Sequence, residues 1–160
     1  MSMKSMFMPA MLATAIVLAG SVVPAAAAAV KVGVLTCRVA PGVGLVLGSS
    51  KRVSCDFSPT GYKTEHYSGR ISKLGVDVGF TTGGVIVWGV FAPHEGYDRY
   101  ALAGHYGGAT AEATIFAGLG ANALIGGSGR SFALQPFSVS GQTGIGIAAG
   151  VAGLDLYASR

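Results

Sequence analysis

The 160-residue sequence predicts an all-β fold, a small, glycine-rich, strongly curved antiparallel β-barrel or sandwich with one disulfide. Short β-branched or alternating runs recur along the chain between turn residues, and no window pairs a 3.6-residue apolar stripe with helix caps. There are 26 glycines, and only Gly20 precedes position 30. They follow no collagen triplet, and the residues between them are too apolar for a disordered linker. Many lie two apart, as do Gly42 and Gly44, Gly118 and Gly120, Gly127 and Gly129, and Gly144 and Gly146. In a strand such pairs put bare backbone on one face, which permits coiling and close approach of a neighbour. Closure also suits an apolar chain, because a closed sheet leaves no edge for another molecule to pair with. About seven to nine strands fit the spacing of the runs.

The first stretch reads as a leader rather than as fold. Lys4 supplies a short basic region, Met6 to Val23 is apolar, and Pro24 precedes five alanines that offer A-x-A cleavage frames. The apolar run approaches the ~20 residues that span a bilayer, but Pro9 and Gly20 interrupt it and the small-residue site follows directly. A signal peptide is therefore expected over residues 1–29, with the mature protein beginning between Ala28 and Val30, and a single β-rich domain over 30–160. The mature protein is expected to be periplasmic or secreted.

The strands follow in order. "VKVGVLTCRV" (30–39) and "KRVSCDF" (51–57) are β-branched and flank a turn-rich segment, which predicts an antiparallel pair. In "KTEHYSGRISKLGVDVGF" (63–80) the second half alternates, with Leu74, Val76, Val78 and Phe80 on one face and polar or glycine positions on the other. "VIVWGVF" (85–91) is apolar on both faces, as in a strand covered on both sides, and places Trp88 in the core. "APHEGYDRY" (92–100) is a polar turn. "YALAGHYGGA" (100–109), "ATIFAGLGANALIGG" (113–127), "SFALQPFSVS" (131–140) and "TGIGIAAGVAGLDLYA" (143–158) return to strand composition, with a short helix over "ATAEATIFAGL" as the alternative for 109–119.

Charge and cysteine content narrow the function. The formal net charge of +4 comes from basic residues scattered singly or in pairs, without the clustered stripe of a nucleic-acid binder. Nucleic acid is not an expected partner. Cys37 and Cys55 are the only cysteines, and export into an oxidising compartment predicts that they pair. Closing a loop of this size contributes roughly 3 kcal/mol through lost unfolded-state entropy. The spacing has no C-x-x-C, so the bridge is expected to be structural.

No motif for catalysis completes itself. "GLGANALIGG" (118–127) holds Gly118, Gly120 and Ala123 in dinucleotide-loop spacing, but Gly126, Gly127 and Gly129 oppose the helix that must follow. No acidic residue lies between Glu112 and Asp155 to take a ribose, so neither a nucleotide nor any other cofactor is expected. There is no G-x-S-x-G elbow, and Glu112 is the only acid in an apolar stretch, so neither a hydrolase triad nor a glycosidase pair is expected. The most suggestive polar group is His94, Glu95 and Asp98, with His105 on the next strand. It has the residue types of a metal or enzyme site, but no H-x-H or H-x-x-x-H spacing fixes them, and no metal is assigned. Tyr62, Tyr67, Tyr97, Tyr100 and Tyr106 flank turns and are candidates for the rim of a ligand mouth.

The segments "GVLTCRV", "GRISKLGVDVGF", "GGVIVWGVFAP", "LAGHYGGATAEATIFAGLGANALIGGSGRSFALQPFSVSGQTG" and "AAGVAGLDL" together resemble a family of small exported proteins of Gram-negative bacteria catalogued as a domain of unknown function. The resemblance runs from about Val32 to Leu156 and implies no catalytic or binding residue. "LGANALIGGSGRS" and "GIAAGVAGLDL" are in addition distantly similar to the SYLF-type lipid-binding barrels, which implies a lipid or cell-envelope ligand. The sequence thus leads to a non-enzymatic, envelope-associated domain that binds a lipid or other apolar ligand. The alternatives are a small outer-membrane β-barrel, against which a strand interrupted at Pro136 and sparse aromatic girdles argue, and an enzyme or metal site on the His94–Asp98 loop.

Overall fold

The computed structural model describes residues 28–41, 50–73, 83–108, 119, 123–140 and 151–160. They form β1 (Val30–Val39), β2 (Ser50–Pro59), β3 (Glu65–Lys73), β4 (Gly84–Ala92), β5 (Gly104–Gly108), β6 (Leu124–Gly126), a 3-10 turn (Ser128–Arg130), β7 (Phe132–Ser140) and β8 (Val151–Ala158). The sheet closes on itself in the order β1-β2-β3-β8-β5-β6-β7-β4, with every pairing antiparallel. This order is two Greek keys placed end to end. β4 returns to lie beside β1, giving 4-1-2-3, and β8 returns to lie beside β5, giving 8-5-6-7. Each pairing in one half has its counterpart in the other, so the barrel has an internal two-fold pattern.

The inside is sorted by the two-residue period of a strand. In β2, Lys51, Val53, Cys55, Phe57 and Pro59 point in while Arg52, Ser54 and Ser58 point out. In β3, Glu65, Tyr67, Gly69 and Ile71 point in while His66, Ser68 and Arg70 point out. β1 follows Leu35, Cys37 and Val39 inward, and a bulge between Lys31 and Gly33 brings Val32 onto the same side. Trp88, Tyr67, Tyr106, Phe57, Leu35 and Ile71 are fully buried, so the interior is a packed core. The Trp88 indole Nε1 has no hydrogen-bond partner among the described residues, which costs about 1–3 kcal/mol. Cys37 and Cys55 are opposite one another across β1 and β2 and form the expected disulfide inside the barrel.

Some expectations need correction. β7 runs unbroken through Pro136. The register against β4 shifts between Val87 and Trp88, the latter opposite Pro136; a bulge tolerates a residue with no N–H to give. Among the described residues, the outer face of β4 is covered only in part. Ile86, Trp88 and Val90 fill the core, whereas Val85, Val87 and Phe91 are only half-buried on the outside, where the Phe137 ring lies over Gly89. Gly127 and Gly129 do not lie in a strand but in the turn between β6 and β7, with φ of 75° and 62°. Within "GLGANALIGG" the described part is Leu119 and Ala123 to Gly127, and it enters β6 and then this turn rather than a helix. Gly126 is needed there because a Cβ would overlap the His105 carbonyl oxygen across the ladder. The alternation over Leu74 to Phe80, the helix alternative over 109–119 apart from Leu119, and the pairs Gly42/Gly44, Gly118/Gly120 and Gly144/Gly146 lie outside the described residues.

Antiparallel closure sends the starts of β1, β3, β5 and β7 to one end of the barrel, together with the ends of β2, β4, β6 and β8. The connections at this end are residues 60–64, 93–103 and 127–131, and they form its mouth.

Candidate functional site: the barrel mouth

Tyr97 sits at the centre of the mouth, on the connection between β4 and β5. Its ring packs 5.9 Å from Phe57 and, edge-on, 5.9 Å from Phe132, two core aromatics at the ends of β2 and β7. On its outer side it meets Tyr62, at 6.3 Å, from the β2–β3 turn. Three pockets among the described residues share Tyr97 as a wall. One, of about 270 Å³, is lined by Tyr62, Lys63, Glu65, Tyr97 and Arg99. A second, of about 340 Å³, lies between Lys31, Thr60, Tyr62 and Glu95. The third, of about 370 Å³, lies between His94, Asp98, Ser128 and Phe132.

The connection that carries Tyr97 is held in place by its backbone and by one buried acid. Ala101 N–H donates to the Asp98 carbonyl and Ala103 N–H to the Tyr100 carbonyl, both at 3.1 Å, and Ser128 N–H ties the β6–β7 turn to the Ala101 carbonyl at 2.9 Å. Tyr100 takes a left-handed φ of 62°, a conformation that costs a β-carbon residue of order 1–3 kcal/mol and persists only where neighbours fix it. Here its N–H donates to Glu65 Oε2 at 3.2 Å and its ring stands edge-on to Tyr67 at 6.0 Å.

Glu65 is 4% exposed, and its Oε2 also accepts the Tyr67 hydroxyl at 2.6 Å. Burial, and then this bond to a carboxylate, push the Tyr67 phenol far above its ordinary value. Tyr97 is pushed up to about 12, by burial first and then by the charges of Glu65 and Tyr62. Both phenols therefore stay neutral at physiological pH. Tyr106, inside the barrel, is raised by burial and donates to the Leu102 carbonyl at 2.8 Å.

The predicted polar cluster is not brought together. His94, Glu95 and Asp98 all lie on the mouth connection and are exposed, but His94 and Asp98 border one pocket and Glu95 another. His105 belongs to the outer wall, directly opposite Asp155 in the β5–β8 ladder, with its Nδ1 2.7 Å from the Asp155 carboxylate. Asp56 plays the same part on β2, accepting Arg38 at 2.8 Å and lying 2.7 Å from His66 Nδ1. The His66 and Arg38 contacts hold the Asp56 carboxyl below its ordinary value. Among the described residues no group of three His, Cys, Asp or Glu is arranged to hold a metal ion.

Of the tyrosines expected at a rim, Tyr62, Tyr97 and Tyr100 are there, while Tyr67 and Tyr106 are core. Glu65 was not among the residues singled out from sequence. Its signal was parity, since it shares the face of Tyr67, Gly69 and Ile71.

The family model described as "Protein of unknown function (DUF992)" matches residues 16–157. No curated protein and no solved structure matches the chain.

Proposed function

The chain belongs to the DUF992 family, and we propose that it is a non-enzymatic, exported domain of the cell envelope that binds a lipid headgroup or other small ligand at the barrel mouth. One observation carries the reading: the described inward positions are filled by large side chains, whereas Tyr97 at the mouth borders three open pockets with aromatic and charged walls. Ligand sites are typically concave, aromatic-lined and furnished with a few placed polar groups. Export is supported by the leader pattern over 1–29, and the buried disulfide is compatible with an oxidising compartment.

The alternatives have less behind them. A membrane-spanning barrel turns apolar side chains outward all round, whereas Arg38, Arg52, His66, Arg70 and His105 face outward and are exposed on β1, β2, β3 and β5. Catalysis by the His94 loop lacks a base and an orienter in contact, because His105 is engaged on the outer wall.

The test is native mass spectrometry of protein recovered from the periplasm of a Gram-negative host. The expected result is a chain starting between Ala28 and Val30, oxidised at Cys37 and Cys55, with a bound small molecule that Tyr97→Ala releases. Protein that remains in the cytoplasm, or that carries no ligand and does not bind liposomes, would overturn the reading.

A further inference from the structure

The pocket between Tyr62, Lys63, Glu65, Tyr97 and Arg99 has a chemistry of its own, and the ligand class inferred from it rests on the mouth reading above. At about 270 Å³ it holds roughly nine water volumes of ~30 Å³ and falls just below the ~300–1,000 Å³ of drug-sized sites. It suits a headgroup-sized molecule.

Its floor is a carboxylate taken out of water. A buried carboxylate is costly unless it is paired and hydrogen-bonded, and the hydrogen bonds to Glu65 come from neutral donors, the Tyr67 hydroxyl and the Tyr100 N–H. Asp56, by contrast, has the Arg38 guanidinium as an ionic partner on the outer wall. The walls are the rings of Tyr62 and Tyr97, inclined at 58° to one another, an aromatic corner in the same pocket as the acid. An aromatic corner with a carboxylate attracts an organic cation, through the ring quadrupoles and through charge.

The rim has the opposite sign. Lys63 and Arg99 are both exposed and border the same pocket, with the Arg99 guanidinium 5.0 Å from the Tyr100 ring centre. A simple cation would meet them as like charges. An ammonium that carries its own anionic group meets Glu65 with one end and the two bases with the other.

We propose that this pocket binds a zwitterion, an ammonium seated between Tyr62, Tyr97 and Glu65 whose phosphate or carboxylate is held by Lys63 and Arg99. The same chemistry is offered by an aminophospholipid headgroup and by a free amino-phosphate.

Calorimetric titration of the protein, expressed from its full sequence in a Gram-negative host, separates these sources. The four probes are O-phosphoethanolamine, dihexanoyl phosphatidylethanolamine, ethanolamine alone and dihexanoyl phosphatidylglycerol. The inference predicts that at least one of the two zwitterions binds and that ethanolamine and phosphatidylglycerol bind at least about tenfold more weakly, a difference of about 1.4 kcal/mol. Binding of both zwitterions shows that the headgroup suffices, and binding of the lipid form alone identifies the source as membrane lipid. Glu65→Gln and Tyr62→Ala should each weaken binding by about tenfold or more. Tyr62 is 73% exposed, so its variant keeps the wild-type melting transition and separates lost binding from lost fold. Phosphatidylglycerol binding as tightly as the zwitterions, and lost in Tyr62→Ala, would overturn the zwitterion and leave the mouth in place. Zwitterion binding unaffected by either substitution would overturn both readings. Absence of binding by all four probes would overturn the zwitterion alone, the mouth reading then being decided by the co-purified ligand.

Discussion

Two sets of tyrosines at one end of the barrel do different work. Tyr67 and Tyr106 stand on β3 and β5 with their rings in the core and their hydroxyls spent on Glu65 and the Leu102 carbonyl. Tyr62, Tyr97 and Tyr100 stand on connections and present their rings at the mouth, Tyr62 largely to solvent. On a strand, alternation dictates which side a ring takes, and the core consumes it. On a connection the ring faces wherever the backbone aims it, and here the backbone is fixed by a buried acid and a left-handed residue. The difference teaches that the barrel wall supplies stability, while the rings left at the mouth are the ones free for the recognition proposed above.

Mutations that treat the two regions alike should have unlike effects. Trp88→Ala empties a fully buried interior site and should cost about 3–5 kcal/mol in urea unfolding, whereas Tyr62→Ala should stay within about 0.5 kcal/mol of wild type. Equal losses would erase the contrast. Reduction of the Cys37–Cys55 bridge comes next, with an expected loss of roughly 3 kcal/mol seen as a lower denaturation midpoint in reductant. Because neither cysteine lines any of the three pockets, ligand affinity of the protein that stays folded should be unchanged.

Proton linkage sharpens the contrast at both pH extremes. The raised phenol of Tyr97 contributes stability that is fully present below pH 10, the unfolded value, and is lost as pH rises through about 12. Tyr97→Phe should therefore flatten part of the alkaline loss of stability measured between those values. On the outer wall, Asp56 is lowered, so its contribution is present above its ordinary value of 3.8 and disappears as pH falls below it. Asp56→Asn is expected to cost less than about 1 kcal/mol at neutral pH, because the pair with Arg38 is largely in water, and to change nothing at the mouth.

Much of the wall was legible in the sequence. The β-branched run 30–39 coincides with β1, the cysteines meet, and the strand count falls within the expected seven to nine. β-branched composition, the spacing of the runs and the presence of just two cysteines supplied these. The order of closure was not legible, because nothing local in β4 or β8 says that each returns to the first strand of its own half. The site was legible only in part. His94, Glu95 and Asp98 were found as a polar stretch, but His105, close in sequence, is carried by strand parity to the outer wall opposite Asp155. Glu65 was not singled out, although its parity with Tyr67 and Ile71 already put it inside.

The most direct test of a filled interior and a binding mouth is an NMR titration of the labelled protein with dihexanoyl phosphatidylethanolamine. The amides of Tyr62, Lys63, Tyr97 and Arg99 should shift, while the indole N–H of Trp88, the sole tryptophan and an interior reporter, should stay where it is. A Trp88 indole that moves with the ligand while the mouth amides do not would place the site inside the barrel and contradict the account.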